Sequence, residues 1–215
     1  MAAALVIGLL AAAPAGAATL AVNGACFLDS DTVTVTGSGF TPGAAVSYAF
    51  DGVTATSSTA DAAGNIASQI AAPVLPVDSL EHTYNLTGTD QANLANVGTT
   101  QVTVTKLTAS LSPQRARPRR KIKFNVRGMP PGVTLYLHYV YRGRSRGTVT
   151  LGKPSAPCGT LSVRRRFFPF NNPHVGIWTF QFDDKRRYSS KTRPAIRGKV
   201  QIYRTYSSAT GATMR

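Results

Sequence analysis

Short runs of alternating apolar and polar residues are the feature that most restricts how this chain can fold. Val33 and Val35 alternate with threonines, and Ile122, Phe124 and Val126 alternate with lysine, asparagine and arginine. A strand places successive side chains on opposite faces and therefore has a period of two, whereas an amphipathic helix needs apolar residues every three or four positions. No window has a sustained helical period with capping residues, so the sequence predicts an all-β protein.

Fourteen short segments rich in Val, Thr, Tyr, Phe and Ile are predicted as strands. Those of the first half are Thr19–Val22, Thr32–Gly37, Val46–Phe50, Val53–Ser58, Ile66–Ala71, His82–Gly88 and Gly98–Lys106. Those of the second half are Lys106–Leu111, Ile122–Arg127, Thr134–Tyr141, Gly147–Leu151, Thr160–Phe168, Gly176–Phe182 and Lys199–Tyr206. Seven strands, twice, is the strand count of two immunoglobulin-like antiparallel β-sandwich domains in tandem.

The two halves also share a loose internal repeat of turns. A glycine, an apolar residue and a Pro-Gly turn follow a strand end at Val35–Gly43 and again at Val126–Gly132. Each segment leads into an aromatic-containing strand, and these strands end at Asp51-Gly52, a strong hairpin signal, and at Arg142-Gly143. Further on, a strand starts at two similar turns, Gly64-Asn65-Ile66 and Gly159-Thr160-Leu161.

Some of these turns resemble those of bacterial immunoglobulin-like modules. The segments Gly37-Ser38-Gly39-Phe40-Thr41-Pro42-Gly43 and Asp61-Ala62-Ala63-Gly64-Asn65 have the form of the two turns that bracket the middle strands of such modules. The second half, with Leu135–Tyr139, Pro157–Leu161 and Gly176–Asp183, is similar to a group of uncharacterised secreted two-domain proteins of high-GC Gram-positive bacteria. This resemblance implies a sandwich fold and a structural role for Cys158, and it supplies no catalytic residue.

Charge is divided sharply along the chain, which has a net charge of +15. The residues up to Thr105 include seven acids and no Lys or Arg, whereas all 24 basic residues and only two acids follow. This asymmetry predicts an acidic domain over 18–105 and a basic domain over 106–206, followed by a flexible tail of small polar residues at 207–215. It also assigns any contact with a polyanion to the second half.

The N-terminus has the pattern of an export signal. Leu5–Ala13 is apolar but too short to span a bilayer, and Ala15 and Ala17 fit a signal-peptidase site, which predicts a signal peptide over residues 1–17. The usual positive charge is missing from Met1–Ala4, and the alternative is an apolar N-terminal strand or anchor. We predict a mature chain without an integral membrane segment that is secreted or retained at the cell surface.

Cys26 and Cys158 are the two cysteines of the chain. In an oxidising compartment they can pair as a disulfide, and the alternative is two separate thiols buried as small hydrophobic side chains. Because the sequence does not give their geometry, it leaves both alternatives open.

Catalytic and metal-binding patterns are weak. Cys158 and either His138 or His174 are the residue types of a Cys–His pair, but no local signature accompanies them. The sequence has no nucleophile elbow or phosphate-binding loop, and no two histidines or cysteines are at ligand spacing. Asp29–Asp31 and Asp183-Asp184 lack the rest of a calcium loop, so we interpret them as solvated carboxylates. We predict a protein that is not an enzyme, with no cofactor and no metal site.

Clusters of basic residues are the strongest chemical signal. Arg outnumbers Lys, and its planar guanidinium suits phosphate and carboxylate groups. We predict that a polyanion contacts Arg115, Arg117, Arg119, Arg120, Lys121, Lys123, Arg164, Arg165, Arg166, Arg186 and Arg187. Another cluster, on a predicted hairpin turn, contains Arg142, Arg144 and Arg146. The alternative interpretation is general solvation, together with protection of edge strands against aggregation.

Two functions follow from these patterns. The first is a non-catalytic exported immunoglobulin-like protein that acts in surface binding or adhesion. The second is a polyanion-binding protein whose ligand is a cell-wall polymer, an anionic lipid or extracellular DNA. A contiguous basic face favours the second, and clusters scattered over different faces favour the first. An enzyme of unrecognised type is the least favoured alternative.

Overall fold

The computed structural model describes residues 17–204 and 210–214, with side chains up to Tyr203. In these residues the chain forms seventeen β-strands and no helix, so the predicted all-β class is confirmed. The predicted signal peptide, apart from Ala17, lies outside the described residues.

The strands before Lys106 form two sheets. They are β1 (Thr19–Val22), β2 (Cys26–Leu28), β3 (Thr32–Ser38), β4 (Ala45–Phe50), β5 (Val53–Thr59), β6 (Ile66–Ala71), β7 (Glu81–Asp90) and β8 (Val97–Thr105). One sheet has the order β1-β3-β6 and the other the order β2-β8-β7-β4-β5. Strand β2 pairs in parallel with β8, whereas β1 with β3 and β4 with β5 and β7 pair antiparallel.

The strands after Lys106 form two further sheets. They are β9 (Thr108–Ser112), β10 (Arg115–Ala116), β11 (Lys121–Arg127), β12 (Leu135–Tyr141), β13 (Arg144–Gly152), β14 (Leu161–Arg166), β15 (Gly176–Asp183), β16 (Ile196–Arg204) and β17 (Thr210–Met214). The smaller sheet has the order β14-β11-β9, and the larger has the order β10-β17-β16-β15-β12-β13. All of these pairings are antiparallel.

Each of the fourteen predicted strands overlaps an observed strand. Three strands, β2, β10 and β17, lack a counterpart among the predictions because they are short or fall in segments of weak propensity. Strand β17 occupies a segment that we expected to be a flexible tail. It forms there because its backbone pairs with β16 on one side and with β10 on the other.

The alternation read from the sequence gives each layer a buried face. In β11, Ile122, Phe124 and Val126 are buried while Lys121 and Lys123 are exposed. The stripe of Trp178, Phe180 and Phe182 is fully buried, which confirms that these aromatic residues are core. Apolar burial of this kind is the main favourable contribution to the stability of a sandwich.

The predicted hairpins are present with matching turns. Strands β4 and β5 are joined at Asp51-Gly52, and strands β12 and β13 at Arg142-Gly143. All four of these residues have positive φ, between 47° and 81°. Two consecutive residues with positive φ produce the turn whose twist matches that of the flanking strands. The pairing of the two strands in each hairpin also includes a register shift, so the internal repeat extends to local geometry.

The repeated glycine turns make the same close approach in both halves. Gly64 has φ of +77°, and a Cβ at this position would lie 2.3 Å from the carbonyl oxygen of Phe40. Gly159 has φ of +62°, and a Cβ there would lie 1.5 Å from the carbonyl oxygen of Met129. In the repeat, Phe40 and Met129 occupy the same position, directly after a glycine. Both turns therefore require glycine for space as well as for backbone conformation.

The chain packs into two compact units. Of the described residues, the first unit contains those up to Val22, Thr34–Ile70 and Asn85–Thr100, and the second contains Asn23–Val33, Ala71–Tyr84 and those from Gln101 onward. The strand pairings, in contrast, all stay on one side of Lys106. Packing and hydrogen-bonded pairing thus divide the chain at different places, and the domain boundary at Thr105 and Lys106 remains a prediction.

Candidate functional site

In the second unit, Cys26 and Cys158 are joined by a disulfide with a Cα–Cα distance of 5.3 Å. Cys26 begins β2, and Cys158 is buried in the turn that precedes β14, next to Gly159. A disulfide sulfur has no thiolate form and cannot act as a nucleophile, so the Cys–His pair considered from the sequence is absent.

Two lysines of β11 lie directly opposite two arginines of β14. The register pairs Lys121 with Arg166 and Lys123 with Arg164, and all four side chains are exposed. Because directly opposed residues of an antiparallel pair project to the same face with Cβ atoms roughly 5 Å apart, the four form one cluster, which we call the cationic ladder. Among the described residues, no carboxylate is within ion-pair distance of the ladder.

The position of the ladder in its sheet separates a functional explanation from a protective one. Strand β14 is at the edge of the three-stranded sheet, where Arg164 and Arg166 can discourage pairing with another chain. Lys121 and Lys123 are on β11, the middle strand, and Lys123 is paired on both sides, with Arg164 of β14 and with Ser112 of β9. Edge protection therefore does not explain Lys123. Like charges that face each other across strands also destabilise the folded sheet.

The other predicted polyanion contacts lie in several places. Arg165 is opposite Ile122 and donates to the carbonyl oxygens of Arg164 and Leu151, so it is directed away from the ladder. The turn that carries Arg117, Arg119 and Arg120 is close to the end of the ladder, because the amide of Phe167 donates to the carbonyl of Arg120. Arg115 belongs to the six-stranded sheet, and Arg186 and Arg187 are exposed in the loop after β15.

Beyond the ladder, the same face of the sheet becomes neutral and polar. Ser162 donates a hydrogen bond to Asn125 at 2.8 Å, and the Asn125 amide donates to Ser110 at 3.5 Å, which links the three strands β14, β11 and β9. These residues, with Thr108, Ser155 and Thr160, line a cavity of about 560 Å³ that we call the polar groove. Arg127, also in its lining, forms an ion pair with Glu81.

A buried polar network lies on the six-stranded sheet. The side chains of His138, Gln181 and Asp183 are all almost completely inaccessible to solvent. His138 Nδ1 is 2.9 Å from Thr148 Oγ1, and its Nε2 is 3.2 Å from an Asp183 oxygen and 3.0 Å from the carbonyl oxygen of Lys185. The Gln181 amide donates to Asp183 at 2.6 Å. Buried polar groups need such partners, so the network holds the loop after β15 against the sheet.

Sequence reasoning missed this network, and it interpreted Asp183 as solvated. His138, Gln181 and Asp183 alternate with core residues, so a period of two predicts that they face solvent. They are buried because the loop after β15 covers them, and Arg197 donates both to Gln181 and to carbonyl oxygens of this loop. The only available signal was the polar composition of an otherwise aromatic strand. Asp183 also accepts from the amide of Lys185, so the predicted solvated carboxylate is wrong for this residue.

A second buried carboxylate organises a loop of the first unit. Asp90 accepts hydrogen bonds from the amides of Thr41 at 2.7 Å and Ala92 at 2.9 Å, and from the Asn96 side chain at 3.4 Å. Burial alone would raise the pKa of this carboxyl group, but the hydrogen bonds to its charged form outweigh burial and lower the pKa to about 2. These donors satisfy the hydrogen-bonding capacity of the carboxylate, so its role is structural.

In the residues described, no helix has the length and apolar character needed to cross a membrane. No family model matches the sequence, and no curated protein matches it. Among solved structures, the chain is similar to fibronectin(III)-like modules of Clostridium thermocellum CbhA. The identity is 12%, the match covers 76% of this chain and 84% of the other, and the TM-score is 0.28.

Proposed function

We propose that this protein is a non-catalytic exported binding module and that the cationic ladder of its second unit holds an extracellular polyanion. One observation carries the proposal: Lys121 and Lys123, on a middle strand, lie opposite Arg166 and Arg164 with no carboxylate among the described residues to pair with them. An acidic polymer removes the repulsion between these cations and gains charge-assisted hydrogen bonds to the two guanidinium groups.

Export is supported by two independent features. The disulfide between Cys26 and Cys158 is typical of proteins that fold in an oxidising compartment. The apolar N-terminal segment has the pattern of a signal peptide. For an exported protein, the accessible polyanions are those of the cell envelope and its surroundings, which suits a role in surface binding or adhesion.

Binding of heparin and of inorganic polyphosphate, measured against salt concentration, tests the proposal. The variant K123A/R164A removes one rung of the ladder, and R144A/R146A removes two exposed cations from β13 as a control of equal charge. Each exposed contact contributes about 1 kcal/mol, so we expect the loss of two contacts in K123A/R164A to weaken binding by about 30-fold. The control variant should have little effect. The slope of log affinity against log salt should also fall by roughly 0.7–0.9 for each contact removed.

Equal losses in the two variants would mean that binding follows net charge and not the ladder. Binding that is absent, or insensitive to salt, would remove the polyanion from the function altogether. In that case a surface-binding or adhesion module of other specificity would remain.

A further inference from the structure

The polar groove continues the cationic ladder on the same face of the same sheet. Asn125 follows Lys123 by two positions, and Ser162 precedes Arg164 by two, so one step along the strands leads from charged to neutral residues. Two residues of a strand span about 6.7 Å. A polymer lying along β11 and β14 would therefore meet cations and uncharged hydrogen-bonding groups within the length of a few of its own units.

We infer that the polyanion is an acidic polysaccharide whose charged groups bind the cationic ladder and whose sugar rings lie in the polar groove. This inference rests on the proposed function and adds the chemical class of the ligand. A sugar ring carries hydroxyl groups that both donate and accept hydrogen bonds, and the groove offers both kinds of partner.

The hydrogen bonds inside the groove leave capacity for a ligand. Ser162 donates its proton to Asn125 and keeps its oxygen lone pairs as acceptors. Asn125 donates one amide proton towards Ser110 and keeps the second. Because these groups already hold one another in place, little side-chain freedom is lost when a ligand binds.

The groove also has an apolar component. Leu80, whose side chain is half exposed, contributes to its lining. The carbon-bound face of a sugar ring is apolar and gains from contact with such side chains. A ligand with charges alone would use neither Leu80 nor the neutral polar groups.

Single-stranded nucleic acid is the less favoured polyanion for this face. Proteins that bind it without sequence preference place aromatic side chains under successive bases. The side chains on this face come from alternate residues of β9, β11 and β14, and they include no aromatic ring. They are Thr108, Ser110, Ser112, Lys121, Lys123, Asn125, Arg127, Ser162, Arg164 and Arg166.

Removal of the neutral groups without a change of charge tests the inference. N125A/S162A acts on the groove, and T54A/T56A, on exposed positions of β5, is the matched control. Heparin and polygalacturonate serve as sulfated and carboxylated polysaccharides, while inorganic polyphosphate and an oligothymidylate serve as polyanions of other classes. We expect N125A/S162A to lose about 10-fold in affinity for both polysaccharides and less than 2-fold for the other two probes.

If N125A/S162A weakens all four probes equally or none of them, the inference is wrong although the ladder can still bind polyanions. Tighter binding of the oligothymidylate than of both polysaccharides also overturns it in favour of nucleic acid. Failure of the proposed function is distinguishable, because K123A/R164A would then bind every probe as the unmodified protein does. Circular dichroism checks the fold, and T108A/S110A tests the groove from β9 should N125A/S162A fail to fold.

Discussion

Loss of the disulfide between Cys26 and Cys158 should remove a large part of the stability of the second unit. The two residues are separated by 132 positions, so the crosslink closes a long loop and strongly restricts the unfolded chain. Loop-closure entropy for this length corresponds to about 5 kcal/mol at 25 °C. Domains of this size typically have about 5–15 kcal/mol in total.

Urea denaturation of the oxidised protein, the reduced protein and C26A/C158A measures the effect. With a slope of about 2.5 kcal/mol per M, the midpoint should fall by about 2 M when the crosslink is lost. Intact mass before and after reduction verifies the bond in the starting material, and C26A/C158A, which has no disulfide, should not respond to reductant. If the verified oxidised protein and the reduced protein unfold at the same urea concentration, the crosslink does not restrict the unfolded chain as argued.

Three further predictions concern single residues. Y139F should leave stability unchanged or raise it by about 1 kcal/mol in calorimetry, because the buried Tyr139 hydroxyl has no partner in the described residues and burial raises its pKa. Since the pKa of Asp90 falls from 3.8 to about 2 on folding, the stability that it contributes is complete above about pH 4 and lost between about pH 4 and 2. Acid denaturation of D90N should lack this phase. G159A should cost about 3 kcal/mol or more in urea denaturation because its Cβ would overlap the Met129 carbonyl, whereas G132A, with φ of +75° but open space, should cost about 1 kcal/mol. Equal losses would contradict the steric argument.

Local sequence rules predicted most of the strands because alternation and turn residues act over a few positions. The Asp51-Gly52 hairpin and the buried face of β11 are examples, and both follow from backbone geometry alone. Strand β17 could not be predicted in this way, because its backbone pairing with β10 joins segments that are far apart in the sequence.

The candidate site could be predicted only as a set of cations. Sequence identified the clusters, but the register decides that Arg164 and Arg166 share a face with the lysines while Arg165, between them, does not. The polar groove depends on three strands meeting at Asn125, and no local pattern indicates this. For a related reason, the sequence does not decide between a disulfide and two separate thiols, since the geometry of the bond depends on how distant segments pack.

If the cationic ladder holds an acidic polymer as proposed, the bound polymer should lengthen the lifetime of the folded protein. Lys123 and Arg164 face each other only while β11 and β14 are paired, so their repulsion acts on the native state and is relieved in the extended chain. An acidic polymer that bridges them stabilises the native state to the extent that it binds this arrangement more tightly than the unfolded chain, and proteases act mainly on transiently opened chains. Protein molecules bound to the polymer should therefore resist proteolysis, while unbound molecules should be degraded first.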